Sequence, residues 1–171
     1  MRLFISIPLD DDMTRLVTDV QNTFRLQNVR GSYTPQENLH ITLAFIGEFG
    51  DPDAVLTAMS KVRFAPFITT MDHVGCFGDL WWAGLAESNA LEALARNVRR
   101  ALAEAHIPFD KKRFRPHVTF LRRAENINAG VHMPKQAGPA HMTVDGISLM
   151  LSTRGKNGMI YTELGYVSAQ T

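Results

Sequence analysis

Hydrophobic and polar residues alternate along this chain in two rhythms, one of period two and one of helical period, and the changes between them mark its elements. Arg2 to Leu9 is an apolar, β-branched run closed by Pro8 and three aspartates, which predicts a buried strand. From about Asp11 to Leu26 the residues Met13, Leu16, Val17, Val20 and Phe24 recur on one helical stripe, behind an aspartate suited to cap the first turn. Gly31 and Pro35 interrupt the chain before Glu37 to Gly47, E-N-L-H-I-T-L-A-F-I-G, where strand periodicity returns. Asp53 to Val62 predicts a shorter helix with Val55, Leu56 and Met59 inward, and Phe67 to Phe77 and Leu80 to Ala86 predict strands. Asn89 to about Ala105 carries Leu91, Leu94, Ala95, Val98 and Leu102 at helical spacing, and Phe114 to Leu121, F-R-P-H-V-T-F-L, is a further strand. Ala124 to Pro139 predicts a polar surface loop. Val144 to Leu151 and Met159 to Val167 predict two closing strands around a turn at Gly155 and Gly158.

The order strand, helix, loop, strand occurs twice. Ile5 precedes His40 by 35 residues and Trp82 precedes His117 by the same 35, so the chain reads as internally duplicated. The second strand of each unit carries histidine and threonine two residues apart. Strict alternation puts His40, Thr42 and Ala44 on one face and Ile41, Leu43 and Phe45 on the other. It likewise sets His117 and Thr119 against Val118 and Phe120. His141-Met142-Thr143-Val144 is a third match to the pattern, but it follows a loop instead of ending a strand-helix-strand unit, and it is set aside.

With 171 residues and 45% hydrophobic content the chain predicts one domain over 1–171, with a first lobe of about 1–79 and a second of about 80–171. Eighteen basic residues against seventeen acidic leave a formal charge of +1, which argues against broad coating of nucleic acid and for local contacts only. Cys76 is the only cysteine, so an internal disulfide is excluded. No signal-peptide pattern and no bilayer-length apolar run is present, and the expectation is a cytoplasmic protein without membrane attachment.

The segments E-N-L-H-I-T-L-A-F-I-G and F-R-P-H-V-T-F-L-R resemble the paired motifs of the two-histidine (2H) phosphoesterases. Within that superfamily they are most similar to bacterial RNA 2',3'-cyclic phosphodiesterases, also called 2'-5' RNA ligase-like proteins. The resemblance implies an α+β, bilobal, pseudo-symmetric fold, with two antiparallel sheets facing a central cleft and helices outside. It also implies action on RNA with 2',3'-cyclic phosphate ends or on small cyclic nucleotides; no cofactor is expected, and a monomer is the default expectation.

The residue types suit that chemistry. Opening a cyclic phosphodiester requires an attacking water to lose a proton and a ribose oxygen to gain one, and imidazole titrates near enough to neutrality for either role. Threonine hydroxyls one pleat away can donate to the nonbridging oxygens, where charge builds. By the resemblance His117 is the general base and His40 the general acid that protonates the 3' oxygen, leaving a 2'-phosphate; Thr42 and Thr119 complete the catalytic set. Run backwards with a 5'-hydroxyl in place of water, the same site would make a 2'-5' linkage. A metal is the competing use of two histidines, but neither motif offers the third ligand a zinc site needs, and no metal is expected.

Two further residues are candidates for binding substrate. Arg115 shares parity with His117 and Thr119 and could neutralise a phosphate, although a solvated loop residue fits as well. Phe45 resembles an aromatic beside the nucleobase, but alternation sends it to the core unless the strand bulges. Arg122 and Arg123 read as exposed, Trp81 and Trp82 as core or rim, and His73, His106 and His132 as structural or surface residues. A nucleotide- or RNA-binding sensor using the same cleft without turnover is the alternative to an enzyme.

Overall fold

The computed structural model describes residues 1–125 and 140–170. The elements run in the order β1 (Arg2–Pro8), α1 (Asp11–Leu26), β2 (Arg30–Tyr33), a 3-10 turn (Gln36–Asn38), β3 (His40–Glu48), α2 (Pro52–Met59), β4 (Phe67–Phe77) and β5 (Leu80–Leu85). They continue with α3 (Asn89–Glu104), β6 (His117–Glu125), β7 (Ala140–Val144), β8 (Gly146–Gly155) and β9 (Gly158–Ser168). The loop expected over Ala124 to Pro139 begins later than expected, because Ala124 and Glu125 still belong to β6; its remainder lies outside the described residues.

The strands form two antiparallel sheets, one in the order β3-β1-β8-β9 and the other β2-β6-β5-β4-β7. Each sheet takes strands from both halves of the chain. Strands β2 and β4 from the first half join the second sheet, and β8 and β9 from the far end join the first. Two strands escaped the sequence reading. The four residues of β2, R-G-S-Y, are too few and too polar to show a period, and A-H-M-T-V of β7 sits at the edge of its sheet beside β4.

Each helix is built as its stripe predicts. In α1, Asp10 caps the N-terminus by accepting from the Met13 amide at 2.8 Å, and Met13, Val17, Val20 and Phe24 are buried. Ser88 caps α3 in the same way, and Leu91, Leu94, Ala95, Val98 and Leu102 are buried. Asp51 and Pro52 start α2, which ends at Met59, three residues before the expected Val62. The repeat is visible in the pairing: β1 lies beside β3, with Ser6 opposite Thr42, and β5 lies beside β6, with Trp82 opposite Thr119. Buried Gln21 of α1 donates to the carbonyls of Thr34 at 2.9 Å and Phe120 at 3.0 Å, bracing β6 from behind.

Candidate active site at the paired histidine strands

Both histidines open their strands and both are held by the same device. His40 Nδ1 lies 2.7 Å from the carbonyl of Asn38, and His117 Nδ1 lies 2.5 Å from the carbonyl of Arg115, two residues back in each case. A carbonyl can only accept, so Nδ1 carries the proton and Nε2 is the nitrogen left for chemistry. The Asn38 side chain is itself fixed, donating to the carbonyl of Met159 at 2.9 Å across to β9.

The surroundings differ. His40 is wedged between Phe4, with centroids 4.9 Å apart, and the edge-on ring of Tyr161 at 5.4 Å, and its Nε2 stands 2.9 Å from the Thr42 hydroxyl. Burial pushes its pKa below the ordinary histidine value; the Asn38 carbonyl opposes this, while the charges of Arg122 and His117 add to it. The two imidazoles, 77 positions apart between 40 and 117, are thus close enough for one to feel the other's charge. His117 is half-buried, with Phe77 and Trp82 each 6.2 Å away.

A bulge in each strand changes which side chains reach the cleft. Along β1 and β3, Ile5 faces Ala44 while Ser6 faces Thr42, so one residue of β3 is unpaired and alternation resets. Ala44, expected beside His40, is therefore 1% exposed in the core, and Phe45, which alternation sends inward, lines the cavity with His40 and Thr42. The guanidinium of Arg2 lies 5.0 Å above the Phe45 ring. The second copy does the same: Trp81 faces Leu121 while Trp82 faces Thr119, so Phe120 and Leu121 are both buried and Arg122 turns to the cavity.

Gly31 of β2 makes room for this second bulge. Its φ is +151°, and a Cβ there would meet the Arg122 carbonyl oxygen at 2.7 Å. Arg122 is exposed, as expected, yet it lies within β6 and lines the His40 cavity. Its signal was present in the sequence, since it stands five residues after His117 as Phe45 stands five after His40. Phe4 and Tyr161 gave no such signal.

His40, Thr42, Phe45, Arg122, Phe4 and Tyr161 line a cavity of about 750 Å³. His117 borders a separate cavity of about 400 Å³ with Phe77, Trp82, Phe114 and Arg115. Arg115 is exposed and its guanidinium lies 5.7 Å over the Phe77 ring, on the His117 flank alone. Thr119 is half-buried on β6, and its carbonyl accepts from the Thr34 hydroxyl at 3.1 Å. His141 stands apart on β7, exposed, with Nδ1 2.8 Å from the Thr70 hydroxyl. His73 sits in the His117 cavity, 2.6 Å from the Asp72 carboxylate, and His132 lies outside the described residues.

Two sheets meeting at paired H-x-T strands define the architecture of the two-histidine phosphoesterases. A family model described as the 2'-5' RNA ligase superfamily matches residues 10–156, and the chain belongs to that superfamily. An RNA 2',3'-cyclic phosphodiesterase of Archaeoglobus fulgidus is 30% identical over 175 residues, covering 96% of this chain and 98% of the relative. Another, from Geobacillus stearothermophilus, is 29% identical over 129 residues, and the match spans 70% of this chain but only 41% of that protein. In three dimensions the chain superposes on LigT of E. coli complexed with 3'-AMP with a TM-score of 0.83, covering 99% of this chain and 98% of LigT at 24% identity, which is a likeness of fold. Among the described residues no helix is long and apolar enough to cross a membrane.

Proposed function

We propose that this chain is an RNA 2',3'-cyclic phosphodiesterase that hydrolyses 2',3'-cyclic phosphates to 2'-phosphates without a metal. The supporting observation is the matched pair of imidazoles, each with its Nδ1 engaged by a carbonyl two residues back and a threonine two residues on. The curated relatives of the superfamily carry the same activity in their names.

In this reading the cyclic nucleotide occupies the His40 cavity, with its base or sugar against Phe4, Phe45 and Tyr161 and its phosphate near Arg122. His117 Nε2 takes the proton of water as its oxygen bonds to phosphorus. The bond from phosphorus to the 3' oxygen breaks, and His40 gives that oxygen a proton. An unliganded His40 with a lowered pKa is neutral at pH 7, and the arriving phosphate anion opposes that shift and favours the protonated acid. Thr42 and Thr119 donate to the nonbridging oxygens as charge accumulates. The cleft is assembled from one chain, so a monomer suffices for the chemistry. With an RNA 5'-hydroxyl in place of water the same step, in the same direction, forms a 2'-5' linkage, and its reverse cyclises the phosphate again.

The test is incubation with adenosine 2',3'-cyclic phosphate in the presence of EDTA, with the product resolved by chromatography. Adenosine 2'-phosphate is expected. Absence of product overturns the reading, and tight binding without product replaces it with a nucleotide-binding sensor. The 3'-phosphate isomer as product would exchange the bond that breaks.

A further inference from the structure

The two histidine strands belong to different sheets, so no strand pairing sets the spacing between β3 and β6. β3 is the outer strand of its sheet, with β1 on one side and no described strand on the other. An edge strand turns every second carbonyl outward, and a buried carbonyl needs a donor from elsewhere. The donors come from the part of the chain that leads into β6. The carbonyl of fully buried Leu43 accepts from Arg99 Nε of α3 at 3.3 Å, and the Phe45 carbonyl accepts from the Asp110 amide at 2.8 Å.

Arg99 also reaches forward. Its Nη1 donates to the carbonyl of Lys112 at 2.7 Å, and its guanidinium lies 6.0 Å from the Phe109 ring and 5.9 Å from the Phe114 ring. One planar group therefore joins Leu43, the residue that β3 leaves unpaired between Thr42 and Ala44, to the loop that delivers His117. We propose that Arg99 is a positioning residue that fixes the spacing of the two H-x-T strands, and with it the placing of His117 against a phosphate in the His40 cavity. The inference rests on the proposed cyclic phosphodiesterase site and adds the residue that aligns its two halves.

Three features set Arg99 apart from an ordinary surface cation. It is half-buried and pairs with no carboxylate among the described residues, so its charge serves carbonyl oxygens. Its neighbours Lys111, Lys112 and Arg113 are exposed, and the one ion pair there, Lys112 with Asp110 at 4.0 Å, stays within the loop, so the carbonyl bonds tie the loop to β3. Second, a guanidinium donates in fixed directions to two acceptors at once, whereas the lysine ammonium is a single point. Third, the groups it joins stand next to the chemistry. Thr42, before Leu43, meets His40 Nε2 at 2.9 Å, and the loop beyond Lys112 carries the Arg115 carbonyl that pins His117 Nδ1.

The test combines turnover with a measurement that needs none. Arg99→Lys keeps the charge and loses the fork, and Arg99→Met keeps the stem and loses every donor. With circular dichroism unchanged and assays well below the melting temperature, both are expected to lower kcat on adenosine 2',3'-cyclic phosphate by about ten- to a hundredfold, the cost of a misplacement of about 1 Å, and to leave KM within about threefold. In the His117→Ala background the same substitutions should cost less than about twofold, since no base is left to place. In hydrogen exchange the Asp110 amide should lose about tenfold in protection in Arg99→Lys, while amides in the middle of α3 keep theirs. If Arg99→Met fails to fold, Arg99→Lys decides alone. A kcat equal to wild type, a loss that appears in KM, or a loss that persists in full beside His117→Ala makes Arg99 a support of the fold only and overturns the proposal. So does unchanged exchange at Asp110. A wild-type chain that never hydrolyses the cyclic phosphate yet gives the exchange effect would defeat the enzymatic reading and leave the tie between the strands standing.

Discussion

The two halves of the cleft share a backbone and differ in what they hold. Strands β3 and β6 each begin with a histidine pinned at Nδ1, place a threonine two residues on, and bulge so that the fifth residue after the histidine turns to the cavity. That fifth residue is Phe45 in one half and Arg122 in the other. His40 is packed between two rings and has a lowered pKa, while His117 stands beside the looser Phe77 and Trp82 shelf. A repeated scaffold thus carries two like groups in alike backbone settings, and the side chains around them make the two surroundings different.

The largest effects should come from the histidines. His40→Ala and His117→Ala are each expected to lose about 10²- to 10⁴-fold in kcat/KM on cyclic phosphate with unchanged circular dichroism. A nitrophenyl phosphodiester, whose leaving oxygen needs no proton, should restore much of the rate to His40→Ala and little to His117→Ala. The opposite ranking would exchange their roles. Next come Thr42→Val and Thr119→Val, each expected to lower kcat by roughly a hundredfold if both hydroxyls serve the nonbridging oxygens. A loss confined to Thr42, which contacts His40 Nε2, would mean that it serves the imidazole instead.

Arg122→Gln and Phe45→Ala test the divergent fifth position. Both should raise KM by about tenfold, but only the arginine variant should alter the pH profile. The Arg122 charge disfavours protonated His40, so its removal raises the His40 pKa and moves that histidine's NMR titration to higher pH. A titration that does not move would remove Arg122 from the electrostatics of the acid.

The smallest effect concerns stability. With the His40 pKa lowered in the folded chain, the unfolded chain takes up that proton first as pH falls. The melting temperature should therefore decline as pH drops below about 6.5, the ordinary histidine value, until folded His40 protonates as well. His40→Gln, neutral throughout, should flatten part of that decline, and His117→Gln serves as the comparison in the same melts.

Much of this was legible in the chain. The stripes of α1 and α3 are buried as spaced, because a helix end capped by Asp10 or Ser88 and one apolar face leave few alternatives. The two H-x-T copies were separable from His141 by context, and His141 lines neither cavity. Whether Phe45 reaches the cleft turned on a bulge: an unpaired residue in β3 between Thr42 and Ala44 supplies it, and hydrophobicity alone does not reveal where a strand slips. Each sheet mixes strands from both halves of the chain for a related reason, since β2, β4, β8 and β9 choose partners by pairing across space, not by proximity in the chain.

The sequence by itself determined the periodicities, the repeat and the identity of the two histidines, because side-chain spacing is local information. Only the tertiary structure decided that Arg122 joins His40, that Phe4 and Tyr161 enclose it, and that each histidine has a recess of its own. Those outcomes depend on bulges and on which strand edges meet, and the free energies that select them come from contacts between residues far apart along the chain.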